Sequence, residues 1–257
     1  MTETFVSYSL IAVYSAMAIY TFAFVLFAVD LARRSAESSD ASASAATGLA
    51  TASAQQASVT AGGSAGSSGT STLTATSASS GEPAVAHSPK SLRLAMAMTV
   101  IAWVLHLGAV VFRGVAANRV PWANMFEFTL TATVLIVGVF LVAQFWQDLR
   151  FLGSFITGFA LLALGVGTSS FYVDVVPLPP PLQSAWLVIH VFVASLSTGF
   201  FALAAGLSIV QLVQARREAG KALKLRFLDT LPAADRLETL AYRLTVVGFV
   251  MWTFTLI

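Results

Sequence analysis

Cysteine is absent from the 257 residues. That excludes a disulfide framework, thiolate-ligated metal and a cofactor attached through thioether bonds to this chain. Charge is also scarce, at 10% of residues, against about 25% in an ordinary soluble domain. Missing too are a Walker loop, a dinucleotide fingerprint, a GxSxG elbow and a spaced metal-ligand cluster. No basic, aromatic-interleaved stretch points to nucleic acid. The stretch 41–81 has no charged residue at all and consists almost entirely of Ala, Ser, Thr and Gly. Such a composition buries too little apolar surface to offset the entropy of ordering. The expectation for 35–90 is therefore a flexible, disordered linker.

What is present is apolar: 57% of residues are hydrophobic and the mean hydropathy is +0.80. The apolar runs are long enough for membrane helices. They predict an all-α, polytopic membrane helix bundle of about six spans, near 6–29, 92–112, 126–146, 151–169, 185–213 and 241–257. The organisation that follows is a first span in 1–34, the linker in 35–90 and a five-helix membrane domain in 91–257. The first run lacks a basic n-region and a small-residue cleavage site, so it reads as a retained span. The last run holds 17 residues, or about 25 Å of helix against a core of about 30 Å. It reads as a chain stopping inside or at the edge of a span.

If the helices alternate, Arg113 and Arg119 fall on one side and the other twelve of the fourteen lysines and arginines on the other. By the positive-inside rule the N-terminus is outside, the linker and the 216–243 loop are cytoplasmic, and the loops 113–124 and 171–184 are external. In the cytoplasmic loop, Pro232 followed by Leu237, Leu240 and Leu244 predicts an amphipathic helix that continues into the sixth span.

Glu127 opens the third span directly before a long apolar run. Asn124 and Glu127 have the spacing of a capping box, with Asn as N-cap and Glu reaching back. A cap alone would leave Glu127 near water. Arg113 and Arg119 are its neighbours, so an external Arg–Glu network is a compatible reading. Trp122 in the same loop suits the headgroup level. His106 and His190 both lie in the outer halves of spans, with His106 two turns before Arg113. An intramembrane ionisable residue is a functional candidate. The competing reading is an interhelical hydrogen bond. His87, in the linker, reads as a spectator. Ser195 and Gly199, like Ala202 and Gly206, stand four apart, a pattern for close helix packing.

The runs "RGVAANRVPWANMFEFTLTATV", "LQSAWLVIHVFVASLSTGFFALAAGLSIVQL" and "LETLAYRLTVVGFVMWTFTLI" resemble parts of one family. It is the haem-handling membrane subunit of system II cytochrome c biogenesis, the CcsA/ResC type, often named CcsB in actinobacteria. The resemblance spans about 92–257. It implies binding of haem b at the outer face and its presentation to apocytochrome c, as part of a haem lyase complex with a ResB-type partner in the bacterial plasma membrane. It carries an axial haem-iron ligand onto His190, whereas His106 has no family role and stays a weak candidate. The family's tryptophan-rich external segment, which contains Trp-Asp-Pro-Lys-Glu-Thr-Trp and cradles the haem, has no counterpart in these residues. Two readings from other classes remain open, a non-catalytic membrane scaffold and a small-solute transporter. The near absence of charge within the spans speaks against the transporter.

Overall fold

A computed structural model describes the chain at residues 2–61, with side chains to 33, at 89–176, with side chains from 91, and at 184–220 and 231–256. The described residues form six α-helices and no strand. They are α1 (Thr2–Ala61), α2 (Pro89–Ala117), α3 (Met125–Ala143), α4 (Gly153–Ser170), α5 (Ala185–Glu218) and α6 (Ala234–Phe254). A 3-10 turn, Arg150–Leu152, leads into α4. Among the described residues five segments are long and apolar enough to cross a membrane: Thr2–Arg33, Ser91–Ala117, Met125–Ala143, Arg150–Ser170 and Ala185–Glu218. The protein is a multi-pass membrane protein.

Two expectations meet differences. The sixth apolar run does not stand alone as a span. It is the second half of α6, whose first half carries Asp235, Arg236, Glu238 and Arg243 and lowers the helix's overall apolarity. The amphipathic turns and the apolar half do form one continuous helix, with Ala234, Leu237 and Ala241 buried along one stripe. In addition, α1 runs on to Ala61, into the stretch expected to be linker. Ala is the strongest helix former, and the 35–61 stretch is rich in it. The rest of that stretch with His87, the proline-rich loop 177–183 and the cationic loop 221–230 lie outside the described residues.

Successive helices alternate in direction. Ser9 Oγ donates to Ala109 O at 2.9 Å near one end of the α1–α2 pair. Ser91 Oγ donates to Asp30 Oδ1 at 3.0 Å near the other. Trp103 Nε1 on α2 donates to Val134 O on α3 at 2.8 Å, and Ser197 Oγ on α5 donates to Gly248 O on α6 at 2.7 Å. The bundle thus has two ends. One holds Arg113 and the starts of α3 and α5. The other holds Ser91, Arg150 and the start of α6. The common core lies among α1 to α5, where Tyr20, Leu130, Phe140, Leu152, Ile156 and Leu203 are fully buried.

Lipid is as apolar as a side chain, so close packing and interhelical hydrogen bonds hold such helices together. Small residues let the backbones approach. Gly199 faces Ile136 and Val139 of α3, and Gly206 faces Leu152 and Phe155. The tightest approach is at Gly153, where a Cβ would stand 2.5 Å from the ring of the buried Phe27. By contrast, a Cβ on Gly165, in the same helix, would meet nothing within 4 Å. Gly153→Ala is expected to cost about 1–3 kcal/mol through overpacking. Gly165→Ala should be neutral or stabilise by up to about 1 kcal/mol. Thermal unfolding of the two variants in one detergent tests this, and Phe27→Leu should restore the stability of Gly153→Ala.

Candidate functional site

The Arg113 end is built from the end of α2. Asn118 adopts φ 49°, a left-handed conformation that Asn tolerates better than most residues. Asn118 N–H donates to Val115 O and Arg119 N–H to Gly114 O, the paired bonds of a Schellman stop. Gly114 eases this reversal, because a Cβ there would sit tightly, 3.2 Å from Arg119 O and 3.3 Å from Pro121 Cδ. The turn swings Arg119 back over the start of α3. Thr131 Oγ1 then ties the loop to α3 by donating to Pro121 O at 2.7 Å.

Asn124 caps α3, its Oδ1 accepting from Glu127 N–H at 2.8 Å. The reciprocal bond goes one residue further back than a capping box requires, from Ala123 N–H to Glu127 Oε2 at 3.1 Å. A cap staying near water is not what the structure has: Glu127 is fully buried. Its carboxylate also accepts from Arg113 Nε at 3.2 Å, and from Arg119 Nη1 and Nη2 at 2.7 and 3.3 Å. Arg113 is only 1% exposed and Arg119 10%.

The arginines reach beyond Glu127. Arg113 Nη2 donates to Val173 O at 2.6 Å, and Arg119 Nη2 to Val176 O at 3.1 Å. The Arg113 guanidinium lies over the rings of Phe126 and Tyr172, 5.2 and 5.7 Å from their centroids. Those two rings meet edge to face at 5.2 Å. One carboxylate and two guanidinium groups therefore bind together the end of α2, the start of α3 and the segment between α4 and α5. Phe126, Tyr172 and the carbonyls of Val173 and Val176 were not evident in the sequence. An aromatic pair at a span boundary is ordinary, and a carbonyl leaves no trace in composition. Of the residues singled out by sequence, Arg113, Arg119, Asn124 and Glu127 form this cluster. Trp122 sits half-buried in the same loop, where its backbone N–H donates to Val120 O.

The two histidines are placed differently. His106 is fully buried in the core beside Tyr20, ring centroids 6.1 Å apart and edge to face. Both its ring nitrogens and the Tyr20 hydroxyl lack a hydrogen-bond partner among the described residues. A side chain packed in this way presents no open face to a macrocycle. His190 lies in the second turn of α5 and is half-buried. It shares a helix face with Trp186, four residues earlier, and Ser197, seven later. Trp186 is 51% exposed and packs on Phe254 of α6 at 6.0 Å between centroids. An accessible imidazole beside exposed aromatic rings is a surface on which a flat aromatic ligand can rest. Among the described residues no group of three or more His, Asp or Glu side chains is placed to hold a bare metal ion.

Removing one partner of a buried ion pair leaves the other charge uncompensated, at about 3–5 kcal/mol. Glu127→Gln keeps an acceptor for Ala123 N–H but turns an amide donor toward one guanidinium and leaves two buried cations. It should cost several times more than Asn124→Ala, for which about 1 kcal/mol is expected from the lost cap. Denaturation of both variants in the same micelle checks the order, and equal losses would mean that Glu127 acts as a cap alone.

The sequence profile of the cytochrome C assembly protein family matches residues 94–257. Among curated proteins, Protein HemX of Brevibacillus brevis is 29% identical over 161 residues, covering 62% of this chain and 58% of HemX. Cytochrome c biogenesis protein CcsA of Trieres chinensis is 32% identical over 104 residues, covering 39% of this chain and 33% of CcsA. The chain thus spans less than two thirds of either relative. No solved structure matches. With a match running from the second helix through the sixth and including every residue of the Arg113–Glu127–Arg119 cluster and His190, the chain belongs to the cytochrome c assembly protein family.

Proposed function

We propose that the protein serves c-type cytochrome biogenesis by holding haem b at the outer face of the bacterial plasma membrane and presenting it to apocytochrome c, together with a ResB-type subunit. The observation that carries this reading is the placement of His190 within the family match, half-exposed near the start of α5 and beside exposed Trp186. His190 supplies one axial ligand to the haem iron. Trp186 and Phe254 offer a face for the porphyrin. Each apocytochrome thiol adds across a haem vinyl group, the sulfur bonding to one carbon and the hydrogen passing to the other, so this step needs no oxidant. The protein's contribution is position: it turns an encounter in solution into a reaction between held groups.

The Arg113–Glu127–Arg119 cluster supports this role indirectly. It anchors Val173 and Val176, in the segment that precedes α5 in sequence. Transport of a small solute is less well supported, because the fully buried charged side chains, Arg113 and Glu127, pair with each other at one end of the bundle.

Charge supports an orientation. Among the described residues only Arg113 and Arg119 of the lysines and arginines stand at the Arg113 end, which favours an external position for it and for the N-terminus. The native chain has no cysteine, so single replacements report cleanly. Ser184→Cys should react with an impermeant maleimide on intact cells, and Asp148→Cys only after permeabilisation. The opposite pattern would invert the topology.

For the ligand, His190→Ala in purified full-length protein should abolish the haem absorption band or shift it. Added imidazole should restore part of the spectrum and part of the cytochrome c maturation. An unchanged spectrum with normal maturation would return His190 to an interhelical role.

A further inference from the structure

The Arg150 end carries a different kind of site. A crevice of about 230 Å³ opens there between the start of α2, the turn before α4 and the start of α6. Leu92, Phe151 and Leu240 form its apolar wall, and Arg150, Arg236 and Asp148 its charged rim. The two arginines are 86 positions apart in sequence (236 − 150) and come from separate elements, so the fold brings them to one opening. Asp148 competes weakly. Its Oδ1 stands 3.5 Å from Arg150 Nε, with the two side chains 75% and 44% exposed. Such a pair in water contributes little. The rim therefore carries a net positive charge with guanidinium donors free to turn to an oxyanion.

Its depth is marked by aromatic side chains. Phe145 and Trp146 follow directly on α3 and are 85% and 73% exposed. Tryptophan at a span's end marks the headgroup region. The apolar segments of α2 and α4 begin at Ser91 and Arg150, and Leu92 and Arg150 line the same crevice. An adjoining cavity of about 20 Å³ reaches Asp30. It has room for no more than about one water. The 230 Å³ crevice thus combines two arginines near a span boundary with the apolar side chains of Leu92, Phe151 and Leu240.

We propose that this crevice binds one anionic phospholipid, its phosphate held between Arg150 and Arg236 and its acyl chains lying along Leu92, Phe151 and Leu240. Basic pockets between membrane helices are suited to such headgroups. The inference stands apart from the haem reading, since it concerns the opposite end of the bundle.

The test is native mass spectrometry of the full-length protein released from mixed phosphatidylglycerol and phosphatidylcholine. The wild type should retain one phosphatidylglycerol in preference to phosphatidylcholine. Arg150→Gln with Arg236→Gln should lower that retention about tenfold or more, while Arg236→Lys keeps most of it. Asp148→Asn should raise retention, a gain that misfolding does not produce. Equal retention by wild type and double variant, or no gain in Asp148→Asn, overturns the proposal. Displacement of the lipid by millimolar inorganic phosphate would show a site for the free anion and would overturn the lipid assignment as well.

Discussion

A single buried carboxylate organises the Arg113 end. Glu127 is fully desolvated, and an ionised carboxylate in such a place persists only with charge and hydrogen bonds around it. It has both, from Arg113, Arg119 and the Ala123 N–H. Each arginine turns a further donor to a carbonyl of the segment before α5, while Arg113 Nη1 and Arg119 Nε have no hydrogen-bond partner among the described residues. The consequence is mechanical. Three stretches of chain that share no regular hydrogen-bond ladder are held in register by one anion. A hydrophobic contact at this place would be non-directional and would let that segment slide. The ionic cluster fixes which carbonyl meets which guanidinium, and with it the point from which the chain sets out toward α5.

Much of this was legible in residues 113–127. A charged side chain flush against an apolar span must be satisfied, and if the helices alternate, the cations on its side of the membrane are Arg113 and Arg119. The degree of burial was not legible, because it depends on Phe126 and Tyr172 closing over Arg113 from two elements 46 positions apart (172 − 126). Spans were readable from length and apolarity wherever charge was absent. They were less readable in α6, where one helix is amphipathic at its start and apolar at its end. The extent of α1 was obscured for another reason: an Ala/Ser-rich stretch has the composition of a linker and the propensity of a helix, and composition alone does not choose between them.

His106 shows the limit of depth as a guide. Thr99, His106 and Arg113 stand seven apart on the buried face of α2, about 10 Å between neighbours. Sequence puts all three on one side of the helix but says nothing of what faces them. Arg113 meets an anion. Thr99 satisfies itself by donating to Ala95 O at 2.8 Å. His106 meets the edge of Tyr20, and neither ring nitrogen makes a well-formed hydrogen bond among the described residues. The same periodicity thus yields an ion pair, a local back-bond and an orphaned imidazole. Partners on α1 and α3 decide which.

The two ends of the bundle divide the work of charge. At the Arg113 end the ions are dry and multiply bonded, so they cannot adapt without breaking several contacts together. Such a cluster holds the end of α2, the start of α3 and residues 173–176 in one arrangement. At the Arg150 end the ions are wet and singly paired, with Arg150 nearly half exposed. Water and counterions already screen them, and exchanging one weak partner for another costs little. Such charges are poor anchors for protein geometry but good ones for a fluid, replaceable ligand such as a lipid headgroup. Rigidity is thus concentrated at the Arg113 end of the bundle and adaptability at the Arg150 end.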